Sequence, residues 1–217
     1  MLLTCNEDYE NSNFSARVLY IMEIKMSDQL GTEREVVPEF QPWPSIARLS
    51  RDVVISEKID GSNAQIHITD DGRVYAGSRT RWITPEDDNF GFAKWVKANE
   101  EGLKEELGFG THFGEWYGSG IQRGYGLKEK KFALFNTHRW TDAPRTLCQV
   151  VPILYQGVFD TQIIDDVLES LRREGSRAVP GYLNAEGICI YHTASKTMYK
   201  KTLANDQHKG QRDTSIP

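Results

Sequence analysis

Ser56-Glu57-Lys58-Ile59-Asp60-Gly61-Ser62-Asn63 closes one run of strand-forming residues (Val53, Val54, Ile55) and opens another (Ala64, Ile66, Ile68). The alternation in the second run reads as a half-buried strand, so the octapeptide is the junction between two strands. A lysine two residues before an acid, followed by a glycine, suits an amine nucleophile beside a bound phosphate. Free lysine has a pKa of about 10.4, so burial, neighbouring cations or a metal must lower it before the amine can attack phosphorus. Asp60, read as lying on the same strand face as Lys58, would orient the amine or meet a metal ion. Gly61 would let the backbone approach a ligand closely.

The elements downstream arrive in a fixed order. Gly77-Ser78-Arg79-Thr80-Arg81 sets two guanidinium forks at a strand end, a geometry suited to phosphate. Phe113-Gly114-Glu115-Trp116-Tyr117-Gly118 puts a carboxylate inside an aromatic strand end, where its burial is costly unless it meets a hydroxyl or a cation. Phe132-Ala133-Leu134-Phe135-Asn136 ends on a ring able to stack on a purine. In Ala185-Glu186-Gly187-Ile188 an acid at a strand start is free to hold a divalent cation through oxygen. Met198-Tyr199-Lys200-Lys201-Thr202 sets cations on a late strand, where they could neutralise an α-phosphate. Taken singly, each element also fits a solvated turn or an ordinary core strand.

Between these elements the pattern predicts an α+β chain with mostly antiparallel sheets. Pro38, Pro42 and Pro44 predict an extended lead-in, and strands follow over 52–57, 62–69 and 73–78 with a turn at Asp70-Asp71-Gly72. A helix is predicted over 88–107, stopped by Gly108, and a second after Asp160 or Thr161, carrying Ile163, Ile164, Val167, Leu168 and Leu171. Further strands are predicted at 111–117, 131–136, 147–155, 186–191 and 197–203.

The 217 residues allow one substantial domain, with a loosely packed extension over 1–35 and the patterned chain over 36–217. A hydrophobic fraction of 39% and a charged fraction of 26% describe a globular chain, and no apolar run reaches the roughly 20 residues of a membrane helix. Cys5, Cys148 and Cys189 have no metal-type spacing and read as reduced thiols of a cytoplasmic protein. A net charge of −5 argues against a protein that coats nucleic acid nonspecifically, though basic residues gather at Arg123–Lys131 and Lys196–Arg212.

In this order the elements resemble the covalent nucleotidyltransferase superfamily, which includes ATP-dependent ligases and capping enzymes, and within it the RNA ligase 2-like ligases of phages and RNA-editing systems. The resemblance spans about residues 40 to 205. It implies an ATP-grasp-like adenylation domain in which Lys58 forms a lysyl-N–AMP bond, with Glu57 beside the adenine. It further implies Arg79 on phosphate, Glu115 on ribose, Phe135 on the base, Glu186 (with Asp60) on Mg2+ or Mn2+, and Lys200 on the α-phosphate, where either Lys201 joins it through a bulge or one phosphate contact is lost. Asn63 matches an asparagine found in RNA-sealing members, where DNA ligases and capping enzymes usually carry arginine.

The implied substrates are ATP and RNA ends bearing a 5′-phosphate and a 3′-hydroxyl. The length is read as a minimal catalytic domain without an OB-fold, so that grip on RNA would depend on an accessory protein or a homodimer. Two departures stand out. Asn136 replaces an acid common after the stacking ring, and Lys200-Lys201-Thr202 replaces a usual Lys-x-Lys. A capping-type guanylyltransferase, a small DNA ligase, and a noncatalytic nucleotide- or RNA-binding module remain as alternatives.

Overall fold

In the computed structural model, residues 38–140 and 145–204 are described. Of the expected extension, residues 1–35 lie outside them. The chain divides between Ser45 and Ile46 into two units, and every element below lies in the second. Residues 38–48 carry no regular secondary structure, in keeping with the prolines.

The junction octapeptide separates β1 (Asp52–Lys58) from β2 (Ser62–Ile68), and the two strands enter different sheets. A four-stranded antiparallel sheet runs β10-β9-β1-β8, from β8 (Ile153–Val158), β9 (Gly187–His192) and β10 (Thr197–Thr202). A six-stranded sheet runs β4-β3-β2-β5-β6-β7. It adds β3 (Val74–Ser78), β4 (Trp82–Ile83), β5 (Gly110–Gly118), β6 (Lys130–Leu134) and β7 (Cys148–Val150), and only the β6–β7 pair is parallel.

Strand periodicity gives each sheet one core face. In the larger sheet Ala64, Ile66 and Ile68 of β2, with Trp116 of β5 and Phe132 and Leu134 of β6, bury against α1 (Phe92–Ala98) and α2 (Glu100–Leu107). Phe92, Trp95, Trp116 and Phe132 form a ring cluster with centroids 5.0–6.2 Å apart. Each such pair is worth about 0.5–1.5 kcal/mol beyond its burial. In the smaller sheet Val53, Ile55, Ile188 and Ile190 pack with Leu168 and Leu171 of α3 (Thr161–Glu174). Asp160 caps α3 by accepting from the Gln162 N–H at 2.8 Å, and Gly175 ends it, as the sequence predicts. A third buried cluster joins Ile59, Tyr117, Tyr125, Ala133 and Val151.

Three elements differ from expectation. The helix predicted over 88–107 begins at Phe92 and breaks at Asn99, whose side-chain amide donates to the Trp95 carbonyl at 2.8 Å and competes with the helical ladder. The strand predicted over 147–155 is two strands in different sheets, because Pro152 has no N–H to continue a ladder; its carbonyl accepts from Glu57 N–H instead. The two-residue β4 has no sequence pattern long enough to reveal it.

Candidate active site

A cavity of about 640 Å³ opens between the pocket-facing sides of the two sheets. Lys58, Asp60, Gly61, Asn63, Arg79, Glu115, Phe135 and Lys200, all singled out from the sequence, line it together with Glu57, Val151 and Cys189. Register explains the convergence. In the smaller sheet Ser56 lies opposite Cys189, and Cys189 opposite Lys200, so these side chains share a face with Lys58, two residues further along β1. In the larger sheet Asn63 lies opposite Glu115, on the face away from the core.

Lys58 Nζ donates to Glu186 Oε2 at 2.6 Å, with 25% and 16% of the two side chains exposed. Glu186 precedes β9, and Gly187 lies directly across from Lys58, where a Cβ would run into the Lys201 carbonyl of β10. Glu115 Oε1 accepts from the Gly61 N–H at 3.0 Å, and Oε2 accepts from Asn63 Nδ2 at 2.8 Å. Burial pushes the Glu115 carboxyl from an ordinary 4.5 up to about 7, against the opposing Lys58 charge and these two donors; Glu186 adds a smaller push upward. Arg79 and Lys200 have no hydrogen-bond or ion-pair partner among the described residues, so both cations are free for an anion.

Several expected roles change. Asp60 follows the end of β1, and its carboxylate takes Arg123 Nε at 2.9 Å; the partner of Lys58 is therefore Glu186. Gly61 does allow a close approach, but to β5. A Cβ there would meet the Trp116 carbonyl and come within 2.8 Å of Tyr117 Cβ. Lys201 stands apart from the cavity. It projects from the opposite face of β10, and its Nζ donates to Asp165 of α3 at 2.6 Å. The β9–β10 register runs unbroken from Thr197 to Thr202, so no bulge turns Lys201 inward. The Asn136 side chain accepts the Arg139 N–H at 3.1 Å, organising the turn after β6.

Sequence reasoning missed the groups that hold these residues in place. Arg123 links Asp60 to Asn184, through Nη1 to the Asn184 side-chain oxygen at 2.8 Å. The Tyr125 hydroxyl accepts the Asp60 N–H at 2.8 Å. Both belong to Gly118-Ser119-Gly120-Ile121-Gln122-Arg123-Gly124-Tyr125-Gly126, where Tyr125 itself takes a left-handed φ of 54°. The glycine density was the available signal. The Glu57 side chain points away from the cavity, accepting from Ser176 Oγ at 2.5 Å and the N–H groups of Arg177 and Ala178 at 2.7 and 2.8 Å. Its backbone alone faces the cavity side, as expected of a residue one position out of phase with Lys58.

The two carboxylates expected at a metal are each paired with a cation, Asp60 with Arg123 and Glu186 with Lys58. Among the described residues no group of three or more His, Cys, Asp or Glu side chains converges. No helix among the described residues is long and apolar enough to cross a membrane.

A family model described as RNA ligase matches residues 51–204. Among solved structures, a glutamate-to-alanine mutant of Naegleria gruberi RNA ligase with ATP and Mn aligns with a TM-score of 0.56 at 20% identity, over 71% of this chain and 50% of that chain. A second glutamate-to-alanine mutant of that ligase, with AMP and Mn, gives 0.54 at 19% identity over the same shares. An apo lysine-to-alanine mutant gives 0.52 at 19%, over 70% and 50%. At this identity the likeness speaks to the fold, and the chain spans about half the length of the structures it matches. No curated protein matches the sequence.

Proposed function

This chain belongs to the RNA ligase family, and from that premise we propose that it is an ATP-dependent RNA ligase working through a lysyl-AMP intermediate on Lys58, with residues 36–217 as its adenylyltransferase domain. The observation that carries the reading is the convergence of Lys58, Glu115, Phe135, Arg79 and Lys200, drawn from both sheets, on one cavity. Naegleria gruberi RNA ligase structures containing ATP or AMP with Mn support the choice of nucleotide and of a divalent cation.

In the first step the neutral Lys58 amine attacks the α-phosphorus of ATP. The N–P bond forms, the bond to the β-phosphate oxygen breaks, and pyrophosphate leaves. Glu186, hydrogen-bonded to Nζ, steers the amine and draws off positive charge as nitrogen loses its proton. Lys200 and Arg79 supply donors to the phosphates, and their value lies in being aimed before the charge develops. Phe135 offers a ring to the adenine and Glu115 an acceptor to a ribose hydroxyl. Glu186 would also hold the divalent cation, which when bound neutralises charge on the phosphates.

In the second step AMP passes from Lys58 to the 5′-phosphate of an RNA end, which converts a poor leaving group into a good one. In the third a 3′-hydroxyl attacks that phosphate, the new phosphodiester forms and AMP departs. Every step is phosphoryl transfer, governed by positioning and electrostatics more than by covalent chemistry in the protein. Asn63, held on Glu115, favours RNA sealing over DNA sealing or capping.

The test offers α-labelled ATP, GTP and NAD in parallel to the wild-type chain and to Lys58→Ala, then chases any adduct with nicked and single-stranded polynucleotides. Labelling by ATP alone, its absence in Lys58→Ala, and transfer to RNA 5′-phosphate ends are the expected results. Labelling of Lys58→Ala would show that the nucleophile lies elsewhere, and a preference for GTP would favour a capping-type enzyme.

A further inference from the structure

The outer face of the six-stranded sheet does not end at the cavity. Its residues form successive rows across the strands, set by register. One row is the cavity wall, Asn63 and Glu115, with Arg79 just past the end of β3. The next is Trp82, Gly77, Gln65, Phe113 and, through the Phe135 N–H to Phe113 carbonyl bond of 2.9 Å, Phe135. The third is Tyr75, His67 and Thr111. Trp82 is 53% exposed and Phe113 56%. His67, Tyr75 and Trp82 have ring centroids 5.9–6.4 Å apart.

This is an unusual use of a solvent-facing sheet surface. Its other face already buries the core, so the outer rings contribute little to holding the fold. Exposed large rings in a contiguous set mark a surface that meets something. Between them stand groups able to hydrogen-bond base edges: Gln65, whose side chain lies over Gly77, and His67, whose Nδ1 is 2.7 Å from Thr111 Oγ1. Strands lie about 4.8 Å apart, so Trp82 to Phe113, three spacings that stop short of the ring assigned to adenine, covers roughly 14 Å, room for about two or three bases.

We propose that this face is a stacking platform for two or three unpaired bases of the RNA strand whose end lies in the cavity. The identity of that strand rests on the ligase reading. Two features favour RNA over a protein partner: the rows run without a break from the nucleotide cavity, and the hydrogen-bonding side chains of Gln65 and His67 stand among the rings. With 31 acids against 26 basic residues, the chain has little general attraction for a polyanion, and stacking supplies grip that does not depend on net charge.

The probe is a fluorescently labelled single-stranded RNA 12-mer, titrated by anisotropy alongside its blunt duplex. Trp82→Ala and Phe113→Ala should each weaken single-strand binding about tenfold while changing duplex binding little. Trp82→Phe, which keeps a ring, should retain most of the affinity. ATP labelling of Lys58 should be unchanged in all three. Equal single-strand affinity in wild type and both alanine variants overturns the proposal, as does a Trp82→Phe protein as impaired as Trp82→Ala. A wild type that self-associates and becomes monomeric in these variants, with RNA affinity unchanged, also overturns it and makes the face a contact between copies. Absence of any ATP adduct in the wild type sinks the ligase reading, while the titration still decides the platform.

Discussion

Lys58 and Glu186, 128 residues apart in the chain, meet at 2.6 Å across the β1–β9 pair. The contact joins the amine proposed as nucleophile to the carboxylate proposed to receive the cation. On the proposed reading one carboxylate would serve both the resting amine and the metal-bound nucleotide, and loading the site would require Glu186 to shift its interaction from one to the other.

Glu186→Gln keeps shape and a hydrogen-bond acceptor but removes the charge. Adduct formation should fall by about a hundredfold, and higher Mg2+ should recover only part of it. A rate constant titrated against Mg2+ in single-turnover labelling checks this; a curve superimposable on wild type would remove Glu186 from the metal role.

Glu115 makes stability depend on pH. Its folded value, raised to about 7 from 4.5, means the native state binds more protons than the unfolded chain between those limits. The stability it contributes is fully present below pH 4.5 and is lost as pH rises through 7, on the order of 3 kcal/mol for this group taken alone. Denaturant melts of wild type and Glu115→Gln across pH 4.5–8 should diverge in that window, with wild type losing ground to the variant as pH rises. Parallel curves would show that the carboxyl titrates normally.

Arg123→Ala cuts the link between Asp60 and Asn184 that spans the two sides of the Lys58–Glu186 pair. Adduct formation should slow by about tenfold or more through misalignment, with nucleotide affinity changed far less. Arg123→Lys, with one point charge in place of a fork, should restore only part of the rate. A change confined to affinity would place Arg123 on the nucleotide instead.

Lys200 and Lys201 are adjacent but should behave differently. Lys200→Ala removes a free cation from the cavity and should slow lysyl-AMP formation strongly. Lys201→Ala breaks an exposed pair with Asp165, worth at most about 1 kcal/mol, and should leave the rate near wild type. The reverse ranking would mean that β10 shifts register when nucleotide binds.

Much of the cavity was legible because strand periodicity is local. The alternation in 62–68 fixes Asn63 and Ala64 on opposite faces whatever the partner strand, and the same rule sets Lys200 with Thr202 and against Lys201. The caps of α3 could be read for the same reason, since Asp160 and Gly175 act on backbone groups within a few residues. Pro152, by contrast, sits inside a run whose pattern predicts one strand over 147–155. Its missing N–H divides β7 from β8 and sends them to different sheets.

By itself, the sequence determined which side chains share a strand face, where strands turn, and that an amine, acids, a ring and cations occur in a ligase-like order. Only the tertiary structure decided that Lys58 pairs with Glu186 rather than Asp60, that Arg123 claims Asp60, and that Lys201 belongs to α3. The physical reason is range: a two-residue period is written into the backbone, whereas a charge takes its partner from whichever distant strand or loop the sheet register brings within hydrogen-bond reach.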